Sequence, residues 1–433
     1  MGSLAERTLA HLWLPCTPMA GKEPGDLLEV VSAEGPWLAL ADGRRVIDAI
    51  SSWWCKTLGH GHPRLRAALV AQAGRLEHVI AANTAHETLT ALTERLAALV
   101  PGLPRVFYGG DGSMAVEIAA KLALHASRLA GRPERRRFAA LQGGYHGETQ
   151  LCLALGDQDL YGAGLLAELP RAVRLGPLPR VRGSDEPLWD DCGAFWPAIE
   201  RQLESAAPEL CAVVVEPILQ GAGEMRFYSP DLLRRLRRFC DERHVYLIAD
   251  EILTGFGRLG RMLACEHAGV RADLVCLSKG LTAGWLPMSA VLVSEEIFAL
   301  CGGAGGREPF LHSNTYGGNA LAAAVALEAL RVYEEMDVAA TARALEGKLR
   351  AAWRRIAERT GAIAEIRALG AVAAVDLSTP PGTAKRVARE ALRRGALFRP
   401  LGETLYWLPP INLDDAALGE LERVTGEAIA AVA

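Results

Sequence analysis

The feature that most constrains this chain is a series of short, apolar, β-rich runs, each ending abruptly in glycine, an acid or a lysine. Residues 105–108 run into Gly109-Gly110-Asp111-Gly112-Ser113, and residues 138–141 into Gly143-Gly144-Tyr145-His146-Gly147. Residues 212–215 stop at Glu216-Pro217, residues 245–249 at Asp250-Glu251, and residues 274–277 at Ser278-Lys279. A helix-like pattern or a long loop follows each run. Near-continuous apolar strands alternating with helices indicate an α/β fold whose mainly parallel sheet is covered on both faces. Ligands of such sheets gather at the carboxyl ends of the strands, where all of these special residues fall.

A chain of 433 residues is too long for one small core, so two unequal lobes are expected. The texture changes after residue 325. A long helical pattern over 338–359 precedes strands near 372–377, 396–399 and 405–408, with further helices over 384–394 and 415–432. These features predict a large domain over 59–325 and a smaller α+β domain formed by 1–58 together with 326–433. The Gly/Pro-rich stretches 176–193 and 302–309 lack periodicity and read as surface loops.

Composition excludes several classes. A net charge of −4 gives no steering toward nucleic acid or an anionic membrane. Arg234, Arg235, Arg237 and Arg238 interleave at helical spacing with Leu232, Leu233, Leu236, Phe239 and Cys240, so they form the wet face of an amphipathic helix. Nine unpatterned cysteines point to reduced thiols rather than a disulfide framework, and no metal-ligand spacing occurs. Residues 1–19 lack a basic start followed by an apolar run, and no stretch reaches the roughly 20 apolar residues needed to span a bilayer. The expected location is the cytoplasm.

Lys279 is the pivot of the chemistry. Most lysines are solvated surface charges. This one follows an apolar strand, where an ammonium is costly unless it is neutralised or bonded. A lysine of depressed pKa at a strand end suits a Schiff base with an aldehyde cofactor. Asp250 closes another apolar run 29 positions earlier. A carboxylate there needs a cationic partner, and a protonated pyridine nitrogen is one. The competing assignment is a helix N-cap. The small residues around Gly112 and Ser113 stand between a strand and a helix, where backbone N–H groups and a hydroxyl can bind phosphate, although a plain glycine turn would look the same. Their spacing matches neither a dinucleotide fingerprint nor a P-loop, and no acid follows about 20 positions on, which disfavours a nucleotide-binding oxidoreductase. Tyr145 is placed to stack on a flat cofactor or to fill the core.

Ser113, Tyr145-His146-Gly147, Glu216-Pro217, Asp250-Glu251, Lys279 and Thr315 fall in the order and approximate spacing of the class III aminotransferases, a fold-type I family. The chain resembles that family over nearly its whole length. The resemblance implies pyridoxal 5′-phosphate as cofactor, with Gly112 and Ser113 on its phosphate, Tyr145 on its ring, Asp250 on its ring nitrogen and Lys279 as anchor and proton carrier. Glu216 and Asn314 join the cofactor set. Thr315 is implied to reach the phosphate of a neighbouring subunit, and hence a homodimer with sites at its interface.

Three segments are further similar to a biotin-synthesis branch of the family. They are Ile50-Ser51-Ser52-Trp53-Trp54, the stretch from Glu216 to Met225, and the stretch from Phe398 to Pro410. Its members take 8-amino-7-oxononanoate as acceptor and S-adenosyl-L-methionine as donor. A long aliphatic chain with a distal carboxylate calls for an aromatic wall and one cation. Trp53 and Trp54 supply the wall and Arg399 the cation, with Ser313 and Tyr406 expected nearby. Paired tryptophans also commonly fill cores, and Arg399 could instead tie the lobes in a salt bridge. Leu14 and Cys16 depart from a pattern common in the branch, in a region near the donor. The rival within the family is an enzyme acting on an ω-amino acid or a diamine.

Overall fold

The structure is a computed structural model that describes residues 2–157 and 171–433. At its centre lies a seven-stranded sheet. In spatial order its strands are Arg105–Gly109, Ser289–Val293, Leu274–Leu277, Tyr246–Asp250, Leu210–Val215, Arg137–Leu141 and Val173–Leu175. Ser289–Val293 runs antiparallel to both neighbours, and the remaining pairings are parallel. The inner strands are buried along their whole length, as the unbroken apolar runs require. Alternate side chains serve opposite faces. Leu247 and Ala249 join one core cluster with Val275 and Leu277, whereas Tyr246 and Ile248 join another with Leu274 and Cys276. The helix Gly112–Leu129 covers the second face with a stripe of small apolar residues.

Both chain ends contribute to further sheets. Val30–Glu34, Trp37–Leu40 and Arg45–Asp48 form an antiparallel set, which Ala396–Leu397 joins in parallel through the register Leu397↔Asp48. Ile363–Leu369, Val372–Leu377 and Thr404–Trp407 form an antiparallel sheet beneath the helix Val338–Thr360. The helix Asp415–Val432 has the bounds that the periodicity predicts, and Val338–Thr360 exceeds its prediction by one residue.

Some expectations need correction. The stretch 176–193 holds the strand Arg180–Val181 and the helix Pro187–Asp190, because Phe227 and Tyr228 offer it a two-residue pairing too short to leave a periodic signal. The strand expected over 396–399 stops at Leu397, which frees Arg399. Ile363–Leu369 and Ser289–Val293 form strands that the pattern did not single out.

Trp353 and Trp407, both fully buried, pack with ring centroids 4.2 Å apart and join the long helix to the sheet below it. Trp353→Ala should destabilise this part of the chain by about 3–5 kcal/mol, as for other aromatic-to-alanine truncations in cores. Thermal or urea unfolding measures the loss, and a change under 1 kcal/mol would mean that the pair does not hold helix to sheet.

Candidate active site

The carboxyl ends of the central strands open into one cavity of about 500 Å³. Gly112, Ser113, Tyr145, Glu216, Asp250, Lys279, Trp53, Trp54 and Arg399 all line it. Residues from seven separate stretches of sequence thus converge, five of them at the ends of strands of the central sheet.

Asp250 ends its strand almost fully buried. Its Oδ2 lies 2.8 Å from His146 Nδ1, and its Oδ1 accepts the Ile252 N–H at 3.2 Å. Turns follow it rather than a helix, so it is not a helix N-cap. Lys279 sits just beyond Leu274–Leu277 in a left-handed backbone conformation with φ of 39°. The Ser278 hydroxyl donates to the Met288 carbonyl at 2.8 Å and pins the turn. Burial pushes the Lys279 ammonium below its ordinary pKa, an effect that the charge of Asp250 opposes. Its Nζ lies 5.0 Å from the centroid of the Trp54 ring.

Glu216 follows Leu210–Val215 and accepts the N–H groups of Gly221 at 3.0 Å and Tyr145 at 2.9 Å. Burial raises its carboxyl to a pKa of about 7, with the nearby Asp250 adding to the effect and His146 opposing it. Glu251, next to Asp250, turns the other way. It accepts from Ala264 N, Cys265 N and the Thr254 hydroxyl, and so fixes the turns beyond the strand.

At the opposite side of the cavity, Gly112 and Ser113 begin an 18-residue helix that the Asp111 side chain caps by accepting the Met114 N–H at 2.9 Å. The Ser113 Oγ accepts the Glu148 N–H at 3.3 Å, which leaves its own proton to donate. Gly147, at φ of 119°, passes so close that an added Cβ would fall 2.2 Å from Ser113 Oγ. Phosphate fits such a helix start. The buried His146 Nε2 has no partner. A buried carboxylate oriented by an imidazole, a lysine of lowered pKa and a helix N-terminus together fit pyridoxal phosphate.

Toward solvent, Trp53 is 46% exposed and lies flat beneath the Arg399 guanidinium, whose carbon is 4.0 Å from the ring centroid. Among the described residues no carboxylate forms an ion pair with Arg399, so it is not a salt bridge between lobes. Trp54 is buried and donates from Nε1 to the Tyr406 hydroxyl at 2.9 Å. Tyr406 therefore stands behind Trp54 instead of lining the cavity. Ser313, Asn314 and Thr315 do not line it either. Ser313 and Thr315 are exposed, and the Thr315 carbonyl is 2.8 Å from His78 Nε2. The sequence reading missed several lining residues. His146 stood inside a motif already singled out, and an acid-pairing histidine beside Tyr145 was the available signal. Glu148 accepts from the Tyr145 hydroxyl at 3.1 Å and from Cys16 Sγ at 3.5 Å. Trp285 and Cys55 carried no signal.

The seven-stranded sheet with this cavity at its strand ends defines a pyridoxal-phosphate-dependent enzyme. A family model, aminotransferase class-III, matches residues 19–426. The chain belongs to that family of fold-type I aminotransferases. It is 38% identical over 417 residues to an adenosylmethionine-8-amino-7-oxononanoate aminotransferase from Synechococcus elongatus, covering 95% of this chain and 96% of that one. Among solved structures it is similar to a PLP-bound amine transaminase from an uncultivated Pseudomonas species, with 30% identity, a TM-score of 0.87, and coverage of 98% and 99%. It is also similar to an adenosylmethionine-8-amino-7-oxononanoate aminotransferase from Methanocaldococcus jannaschii, with 27% identity, a TM-score of 0.88, and 99% of each chain covered.

Two expectations follow from this geometry. Borohydride reduction of the yellow holoenzyme, followed by peptide mapping, should place the pyridoxyl group on Lys279, and Lys279→Ala should lose both label and turnover. A label on another lysine would overturn the assignment. The second concerns pH. Because folding raises the Glu216 pKa from 4.5 to about 7, its stabilising contribution is complete below 4.5 and lost as pH rises through 7. Relative to the unmutated protein, Glu216→Gln should remove a fall in stability of roughly 3 kcal/mol across that range. Parallel stability curves would assign the proton elsewhere.

Proposed function

We propose that this enzyme converts 8-amino-7-oxononanoate to 7,8-diaminononanoate in biotin synthesis, with S-adenosyl-L-methionine as amino donor. One observation carries the reading. Arg399, held over Trp53, lines the same cavity as Lys279. That layout suits a long aliphatic oxo acid with its carboxylate on the arginine and its carbonyl near the lysine. The names of the Synechococcus and Methanocaldococcus relatives support the same substrates.

Bound pyridoxal phosphate supplies an aldehyde carbon for amine exchange and a ring that draws electrons from the reacting carbon. Lys279 holds the cofactor at rest and, once displaced, takes the proton from the donor α-carbon and returns one to the product. Its lowered pKa favours the neutral amine that this task needs. Asp250, braced by His146, keeps the ring nitrogen protonated. Gly112 and Ser113 hold the phosphate, Tyr145 and Glu216 wall the ring, and Trp53 and Trp54 exclude water from the aliphatic chain. Asn314 and Thr315 serve the partner subunit's site in a homodimer, a role that the exposure of Thr315 fits. The domain division is 1–58 with 326–433 against 59–325, and the parallel pairing of Ala396–Leu397 with Arg45–Asp48 supports the joining of the two ends. No helix of the described residues is long and apolar enough to cross a membrane, in keeping with a cytoplasmic enzyme.

The similarity to an amine transaminase favours a second reading, transamination of simple amines or ω-amino acids. Half-reactions followed by the cofactor spectrum decide between the two. Arg399→Ala should lower kcat/KM for 8-amino-7-oxononanoate by about tenfold to a few hundredfold, the worth of one charged hydrogen bond, while donor deamination is largely spared. Lysine should rescue only part of the loss, since it lacks the planar fork. An unmutated enzyme that ignores 8-amino-7-oxononanoate yet accepts ω-amino acids would establish the second reading.

A further inference from the structure

We propose that Asp48 is a positioning residue for the substrate wall: its carboxylate, locked by His60, holds the strained turn that aims Trp53 and Trp54 at the cavity. Asp48 ends the strand Arg45–Asp48 and is 1% exposed. Its Oδ1 accepts the Ile50 N–H at 3.3 Å, and its Oδ2 accepts the Ser52 N–H at 2.6 Å. The same Oδ2 lies 2.9 Å from His60 Nε2, which fixes the carboxylate from the other side.

The turn it holds is one that serine and tryptophan do not adopt on their own. Ser51 has φ of 51°, Ser52 has φ of 59° with ψ of −107°, and Trp54 has φ of 65°. Such left-handed values favour glycine, and L-residues keep them only where the surroundings over-determine the backbone. The Ser52 side chain is exposed, so packing does not fix it, whereas its backbone N–H is tied to Asp48. A buried charge accepting two backbone N–H groups is a strong constraint.

The consequences reach the site by two routes. The turn sets Trp53 beneath Arg399 and Trp54 beside Lys279. Asp48 also lies in register with Leu397, two positions before Arg399, in the adjoining strand. One strand end therefore sets both the aromatic wall and the arm bearing the cation, and the two meet where Arg399 covers Trp53. Asp48 touches no substrate atom in this scheme. It acts through the turn.

Asp48→Asn keeps the shape of the side chain and removes its charge. Its KM for 8-amino-7-oxononanoate should rise about ten- to a hundredfold, with kcat changed by less than about threefold. Hydrogen–deuterium exchange of the holoenzyme should show residues 49–55 exchanging at least about tenfold faster, with the central strands unchanged. Adding Ser52→Gly supplies a residue that accepts the turn freely, and Asp48→Asn/Ser52→Gly should recover most of the lost affinity. Because relieving Ser52 would also raise general stability, the unchanged exchange of the central strands is what separates a positioning role from a general loss. Unchanged KM and exchange in Asp48→Asn would overturn the proposal, as would a KM that Ser52→Gly leaves unrepaired. Should Asp48→Asn not fold, His60→Gln gives the same comparison, with a smaller shift in the same direction expected and none overturning it. The kinetic arm rests on the proposed substrate. If the unmutated enzyme does not turn over 8-amino-7-oxononanoate, that substrate fails, and the exchange pattern alone decides the role of Asp48.

Discussion

Lys279 and Asp250 bury an amine and a carboxylate in one cavity, and much of the molecule serves to hold both there. Taking either charge out of water costs several kcal/mol, so neither position is tolerable without a partner. Adjacent parallel strands solve the placement, because Tyr246–Asp250 and Leu274–Leu277 end on the same edge in the register Asp250↔Cys276. The attraction of Asp250 offsets part of the desolvation at Lys279, and His146 steadies Asp250 from behind. The antiparallel strand Ser289–Val293 returns the chain beside the lysine and lets Met288 staple the turn through Ser278.

Rigid strands alone do not aim side chains into a cavity. The loops do, and they carry backbone strain at that end. Ser51, Ser52, Trp54, Lys279 and Ala283 all have positive φ although none is glycine. Conformations of this kind cost about 1–3 kcal/mol each and persist where neighbouring structure over-determines them. His244, outside the cavity lining, instead caps the end of the helix Pro230–Arg243, where a left-handed residue is an ordinary way to stop. Ala283 likewise caps the short helix Lys279–Thr282, whereas Trp54 and Lys279 hold positive φ at positions that line the cavity.

What could be read from sequence divides along the same line. The central strands were legible because burial on both faces makes them continuous apolar runs, and the special residues at their ends marked the site. Ser289–Val293 was not singled out, since antiparallel return leaves no distinguishing composition in so short a run. Trp53 was read as part of the substrate wall and Arg399 as the cation beside it, and the two are in contact. Tyr406 was expected at the substrate but stands behind Trp54, because a strand alternates its faces and sequence does not say which face meets the cavity. Ser313 and Asn314, expected from the resemblance alone, are absent from the cavity lining among the described residues. The partner that His146 provides to Asp250 spans 104 positions and arises only when two strands pair through a third.

The buried acids show why residue type alone could not assign roles. Asp48, Glu216, Asp250 and Glu251 are all enclosed, and each has a different set of donors. Glu251 accepts from the Ala264 and Cys265 amides and the Thr254 hydroxyl, so its carboxyl is engaged in shaping the turns. Glu216 accepts two amides, and burial holds its proton until about pH 7. Asp250 has a single amide and a histidine. As pH rises through about 7, Glu216 ionises and adds negative charge near Lys279. That charge would raise the lysine's pKa and work against the neutral amine that proton transfer requires. Burial thus acts on both groups, raising the Glu216 carboxyl and lowering the Lys279 ammonium, and the charge of Glu216 is one of those that oppose the shift at the lysine.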